Sequence, residues 1–217
     1  VTNLDEEKQA AAQSAAELVE DGMRVGLGTG TTVAFLLPVL ARRGIDARYV
    51  ATSPQTEDVA RRLGLHVTSF ASLDELDLAI DGADQIAPGG WLVKGRGGAH
   101  LREKIVAASA TRFVVIADSS KPVTTLHPPV PLELSTFGLS TTVRRLGDVR
   151  LRDVAPSPDG GVIGDYFGTF DDPAALAQRL SSTPGVTAHG LFDPSLVSEI
   201  IVGTGKTVTR SVPGGNQ

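Results

Sequence analysis

Residues 77–104 read DLAIDGADQIAPGGWLVKGRGGAHLREK and concentrate the reactive side chains of the chain. Asp81 and Asp84 lie close together, Lys94 opens a glycine-rich loop, and Glu103 follows near an expected helix start. A second stretch, Gly26-Leu27-Gly28-Thr29-Gly30-Thr31-Thr32, joins an apolar strand to a helix. Strand, glycine loop and helix together make a phosphate cradle. The glycines let backbone N–H groups approach an anion, and the helix N-terminus adds positive potential. The dinucleotide fingerprint is missing, because G-x-G-x-x-G meets Thr31 from Gly26 and Val33 from Gly28. No Gly-Lys-Ser/Thr follows either, so the loop is not a Walker A loop. Thr52, Ser53 and Thr56 stand where a dinucleotide fold would place an acid for ribose.

A phosphate cradle, a carboxylate and a lysine suit proton abstraction next to a carbonyl. The carboxylate takes the C–H proton, and the cation steadies the enediolate oxygen. Triosephosphate isomerase shows that a glutamate and an electrophile suffice without metal. Glu103 is the candidate base, and Lys94 and Lys121 are the candidate cations. A base of this kind needs a raised pKa and hence shielding from water. A place near a helix start acts in the opposite sense, favouring the ionised form. The blander alternatives are a first-turn acid making surface pairs, solvated loop lysines and an ordinary strand–helix turn. His66 reads as structural, His100 as a possible ligand contact, and His127 and His189 have no evident partner. No H-x-x-x-H spacing appears, and Asp81 with Asp84 alone is a weak metal signal. No metal is expected.

The elements that must position these groups alternate. Helix 5–20 is followed by strands at 23–27, 47–51, 66–70, 77–80, 91–93 and 112–116. Helices at 33–43, 54–63 and 99–110 are interleaved with them. A turn is expected after Ile80, with Gly82 free to take unusual backbone angles. Residues 1–126 thus read as a doubly wound sheet, with Asp81 and Asp84 at its carboxyl end. After the Pro-rich linker 127–131 the order is strand 132–137, helix 140–146, strands 149–154 and 162–170, helix 173–180 and strand 186–192. That is the β-α-β-β-α-β ferredoxin-like unit. Strands at 200–202 and 207–209 are expected to return to the first sheet, and 211–217 to fray. The fold expected is α/β: a Rossmann-like domain (1–127 and 199–217) plus a smaller ferredoxin-like α+β domain (128–198).

Composition narrows the class. The chain has 217 residues, 41% of them apolar, and a net charge of −5. Without a basic footprint a nucleic-acid partner is not expected, so an anionic ligand must be held by a local site. No apolar run reaches the ~18–20 residues of a membrane span. No secretory leader is expected, which makes a cytoplasmic enzyme the default. The absence of Cys excludes disulfides, thiolate catalysis and Cys-ligated zinc.

The motifs GLGTGTT (26–32), TSPQT (52–56), DGAD (81–84), KGRGG (94–98), LREKI (101–105), ADSSK (117–121), PLEL (131–134) and PGVTAHGLF (184–192) keep their order over nearly the whole chain. In these stretches the sequence resembles type A ribose-5-phosphate isomerases. The resemblance implies reversible conversion of D-ribose 5-phosphate to D-ribulose 5-phosphate, within the pentose phosphate pathway, without metal or cofactor. It implies Glu103 as the base moving a proton between C1 and C2, and Lys94 as the oxyanion partner. It implies Asp81 and Asp84 at sugar hydroxyls, Asp81 also helping in ring opening and proton relay. The implied substrate-binding set is Lys8, Thr29, Gly30, Thr31, Thr32, Gly82, Ala83, Gly95, Arg96, Gly97 and Lys121. A homodimer or homotetramer assembled through the small domain is also implied. The chain departs from the family pattern at Gln85 (glutamate is usual), Arg96 (glycine is usual), His100 (apolar is commoner) and in 161–165, where an asparagine is missing. Arg96 and His100 leave open an isomerase for another sugar phosphate, and a non-catalytic sugar-phosphate-binding regulator remains the alternative from another class.

Overall fold

A computed structural model describes residues 3–213. In chain order the elements are α1 (Asn3–Ala16), β1 (Arg24–Leu27), α2 (Thr31–Arg43), β2 (Arg48–Ala51), α3 (Pro54–Arg62), β3 (Leu76–Gly82), β4 (Gln85–Ile86), β5 (Leu92–Val93), α4 (His100–Ala108) and β6 (Ala110–Asp118). There follow β7 (Val130–Leu134), α5 (Leu139–Leu146), β8 (Val149–Leu151), β9 (Val162–Tyr166), α6 (Pro173–Ser181), β10 (Val186–His189), β11 (Leu191–Phe192), β12 (Glu199–Thr204) and β13 (Thr207–Ser211). The fraying expected at the end falls partly on 214–217, outside the described residues.

The large sheet has the order β13-β12-β6-β3-β1-β2, parallel except for the edge strand β13. Its central strands β3 and β6 carry near-continuous buried runs because both faces are covered there. Val114 and Ile116 of β6 pack with Leu78 and Ile80 of β3 into a core shared with α1 and α2. Phe113, Val115 and Ala117 alternate to the opposite core, shared with Val106 and Ala107 of α4 and with Phe192. From β1 the chain winds outward to β2, then returns to β3 on the other side. The carboxyl ends of β1 and β3 therefore flank a topological switch point, where open α/β sheets bind ligands.

A four-stranded sheet has the order β10-β7-β9-β8, antiparallel throughout. It matches the order expected for β-α-β-β-α-β. Its apolar residues Val130, Leu132 and Leu134 pack on Leu146 of α5 and on Leu176 and Leu180 of α6.

Several local expectations are corrected. Strand 66–70 survives only as one bridge, Tyr49 to Val67, and 70–72 is a 3-10 turn. Residues 92–93 do not join the large sheet; they lie between β4 and β11 in a separate three-stranded sheet. The strand expected at 186–192 breaks at Gly190. There the N–H donates to Pro131 O at 2.7 Å, and a Cβ would lie 2.2 Å from Lys94 O. Strand β3 runs on through Asp81 and Gly82, which pair with Val115 and Ile116, so Gly82 needs no positive φ. The first helix ends at Ala16 rather than near residue 20.

Candidate active site

Asp81 is fixed first, by position on a central strand. Its Oδ1 accepts the N–H of Thr29 at 3.1 Å and of Gly82 at 2.7 Å. Gly28 is a glycine for a packing reason: a Cβ there would fall 1.9 Å from the Asp81 carboxylate carbon. The Gly28–Thr29 turn is braced from β2 and α3. Thr29 Oγ1 meets Thr52 Oγ1 at 2.8 Å, and Thr56 Oγ1 donates to Gly28 O at 3.0 Å. Ser53 caps α3 by accepting Thr56 N–H, which holds Thr56 in place. Gly30, at φ 118, leads into α2 with no side-chain cap, leaving the first-turn N–H groups for a ligand.

Lys94 enters from β5. Its ammonium is 2.8 Å from Asp81 Oδ2, 3.2 Å from Glu103 Oε2 and 2.5 Å from Gly82 O. Glu103 lies in the first turn of α4, its N–H bonded to Ala99 O. All three side chains are buried, at 3% exposure for Asp81 and Glu103 and 2% for Lys94. Two carboxylates thus share one ammonium out of water, and that decides their acidity. Burial, then repulsion from Asp81, pushes Glu103 up to about 8, with Lys94 opposing. Burial likewise raises Asp81 above its usual range against the pull of Lys94. For Lys94 burial disfavours the charge, but Asp81 and Glu103 outweigh it and hold the ammonium above the usual lysine range. The opposition between helix start and burial at Glu103 is settled by burial.

Lys94 and Glu103 border a cavity of about 300 Å³ lined by Thr29, Gly30, Thr31, Thr32, Gly82, Ala83, Asp84, Lys94, Gly95, Arg96, Gly97, Glu103 and Lys121. The 94–98 loop is pinned from both sides. Arg96 N–H donates to Asp84 Oδ2 at 3.0 Å, and Arg96 O accepts from Arg152 at 2.8 Å. A carboxylate base, an ammonium, free amides and a second lysine in one cavity can deprotonate carbon beside a carbonyl while an anionic tail is held. Among the described residues, no group of three His, Asp or Glu converges as a metal site.

The ribose 5-phosphate isomerase A (phosphoriboisomerase A) family model matches residues 48–207. The chain belongs to the ribose 5-phosphate isomerase A family. Ribose-5-phosphate isomerase A of Caulobacter sp. (strain K31) is 44% identical, across 97% of this chain and 100% of that protein. The crystal structure of ribose 5-phosphate isomerase A from Neisseria gonorrhoeae is 33% identical with a TM-score of 0.93, covering 98% of each chain. A D-ribose-5-phosphate isomerase in complex with phospho-erythronic acid is also 33% identical, with a TM-score of 0.91, covering 97% of this chain and 100% of that one.

Within this isomerase-family chain the fold brings together the expected site residues, with two placed off the cavity lining. Asp81 stands behind Lys94, and Lys8 on α1 pairs with Asp5 at 3.5 Å. His100 does not line the cavity. It is fully buried against Gly95, and burial followed by the charges of Lys104 and Arg152 holds its imidazole down at about 3. His66 is exposed. His189 is buried and has partners: Ser181 Oγ lies 2.9 Å from Nε2, and Lys104 Nζ 3.3 Å from Nδ1. His127 is held through its main chain by Gln85, whose Oε1 accepts His127 N–H at 2.9 Å and whose Nε2 donates to His127 O at 2.8 Å. The Gln85 departure thus has a physical content, since the amide supplies acceptor and donor at once, whereas an ionised glutamate only accepts.

Two supporting groups escaped the sequence reading. Glu7 of α1 is buried, accepting N–H from Ser119 at 2.9 Å and Gly205 at 3.1 Å, so it ties down the segment leading to Lys121. Lys104 donates into the 189–191 backbone. Glu7 carries no local signal beyond an acid in a helix. Lys104 lies inside the LREKI motif, which is the signal that could have found it.

Proposed function

We propose that the chain interconverts D-ribose 5-phosphate and D-ribulose 5-phosphate through an enediol, using Glu103 as the base. The observation that carries this is the buried Glu103 carboxylate, 3.2 Å from a buried ammonium. Both line one cavity with the uncapped α2 N-terminus and Lys121. The phosphate is held by Thr31 and Thr32, the first-turn amides of α2 and Lys121. Glu103 removes the C2 proton of the open-chain aldose and returns it to C1, while Lys94 stabilises charge on the reacting oxygen. Asp84 receives sugar hydroxyls. Asp81, raised in pKa and hydrogen-bonded to the cradle, assists ring opening and carries the proton between the two oxygens. Thr29, Gly30, Gly82, Ala83, Gly95, Arg96 and Gly97 complete the walls. This scheme uses no metal and no cofactor. The ligand of the related structure fits the scheme: phospho-erythronic acid joins a phosphate to a planar carboxylate, the shape and charge of an enediolate.

The same reading assigns 128–198 to a small domain that assembles a homodimer or homotetramer, with 1–127 and 199–217 as the catalytic domain. Phe137, 92% exposed, and the exposed Leu151 and Val154 support an assembly surface there. We assign the enzyme to the cytoplasm. Among the described residues, no helix is long and apolar enough to cross a membrane.

The test is an isomerisation assay on a panel of aldose phosphates with a chelator present. Ribose 5-phosphate should be the best substrate and the chelator without effect. A panel in which ribose 5-phosphate ranks among the poorest would end the assignment. Light scattering on the purified chain tests assembly, and a monomer at micromolar concentration contradicts it.

A further inference from the structure

Lys104 follows the base on α4 and takes no part in the scheme above, yet its ammonium is largely buried. It donates to His189 O at 2.7 Å and Leu191 O at 2.8 Å. Between these two carbonyls lies Gly190 O, which accepts the backbone N–H of Lys94 at 2.8 Å. One short segment, 189–191, therefore receives the helix that bears Glu103 and the strand β5 that leads into Lys94. Phe192, the next residue, adds a second link. Its ring centre is 4.9 Å from Lys104 Nζ and 5.4 Å from Lys94 Nζ, so both ammonium groups lie at one aromatic ring. Segment 189–191 cannot drift, because Gly190 N–H is bonded to Pro131 O and Leu191 pairs with Val93.

We propose that Lys104 is a positioning residue for the isomerisation: with Phe192 it fixes α4 against the 189–192 segment and so sets the separation of Lys94 and Glu103. The proposal rests on the isomerase reading of the site. Burial holds the Lys104 ammonium down at about 8, which fits a cation kept out of water by its carbonyl partners. The charged groups around Glu103 are Lys94, Asp81 and Asp84, and the titratable groups around Lys104 are His189 and His100, both held neutral by burial. None of the phosphate-holding groups touches Lys104, so its loss should spare substrate binding.

The experiment compares Lys104→Met, Phe192→Leu and a matched core variant, Leu146→Ala, with wild type. It records kcat and KM for ribose 5-phosphate from pH 5.5 to 9, together with thermal unfolding. Displacement of the reacting groups by about 1 Å costs up to ~10²-fold in rate. Lys104→Met should lower kcat by about 10–100-fold with KM within about threefold. The acidic limb of its kcat profile should move to higher pH, because Lys94 no longer holds down the Glu103 pKa. Phe192→Leu should move the limb the same way by less, and Leu146→Ala should lose stability with no change in the limb. An unchanged limb and kcat in a folded Lys104→Met protein would overturn the proposal. If that variant does not fold, an unchanged limb in Phe192→Leu overturns it equally. A wild type without turnover would instead sink the isomerase reading, and this inference with it.

Discussion

Replacing Glu103 with Gln should raise stability while removing most of the activity. An ordinary glutamate titrates at 4.5, whereas Glu103 is pushed up to about 8. Between those values the folded protein keeps a proton that the unfolded chain has released. Stability is therefore highest below pH ~4.5 and falls as pH rises through the window, reaching its floor above the folded value. The fall is ~1.4 kcal/mol per pH unit. At pH 7 the carboxyl thus costs wild type about 3 kcal/mol. Gln keeps the shape and an oxygen for Lys94, but has no proton to lose. The variant should match wild type near pH 4.5 and exceed it by about 3 kcal/mol at pH 7. Urea unfolding at pH 5, 6, 7 and 8 with a common m-value reads the difference. The same variant should lose about 10²–10⁴-fold in kcat, the usual contribution of a positioned general base. A stability gap that stays flat with pH, or a Gln variant weaker than wild type at pH 8, would refute the electrostatic reasoning. Undiminished turnover would remove Glu103 from the mechanism.

Lys94→Met should abolish turnover and destabilise by about 3–5 kcal/mol, since two buried carboxylates lose the cation they share. Unfolding at pH 5 and pH 8 should show the smaller loss at pH 5, where protonation relieves the repulsion; equal losses would contradict this. Gly28→Ala should cost about 1–3 kcal/mol by overpacking against Asp81. In steady-state kinetics it should lower kcat more than it raises KM, and a kinetically silent Gly28→Ala variant would show that the close Gly28–Asp81 approach is not needed. Gln85→Glu should cost about 1–3 kcal/mol, because a carboxylate facing His127 O leaves that carbonyl unpaired. Denaturant midpoints at pH 8 read this cost, and an unchanged midpoint would remove Gln85 from the account of how His127 is held.

Much of this was legible along the chain because the responsible interactions are local. Glycine loops, caps and apolar periodicity are short-range features, and they marked the helices and main strands, the cradle at 26–32 and the β-α-β-β-α-β order. What failed depended on partners distant in sequence. Residues 91–93 look like another strand of the large sheet, but Leu191 and Phe192 claim them from nearly 100 positions away. The stretch 186–192 reads as one strand, and only the approach of Lys94 O and Pro131 to Gly190 breaks it.

The candidate site divides the same way. Residue type and spacing determined that a carboxylate, a lysine and an anion cradle were present, since those are properties of the side chains themselves. Only the tertiary structure decided that Glu103 is shielded enough to be raised in pKa, and that Asp81 braces the cradle and pairs with Lys94. It also decided that Lys8 stands outside the cavity lining and that Lys104 and Glu7 hold the supporting segments. Burial and hydrogen bonding depend on what packs around a group, and the helix-start field at Glu103 yields to a desolvation that arises only when α4 closes over β3 and the 189–192 segment.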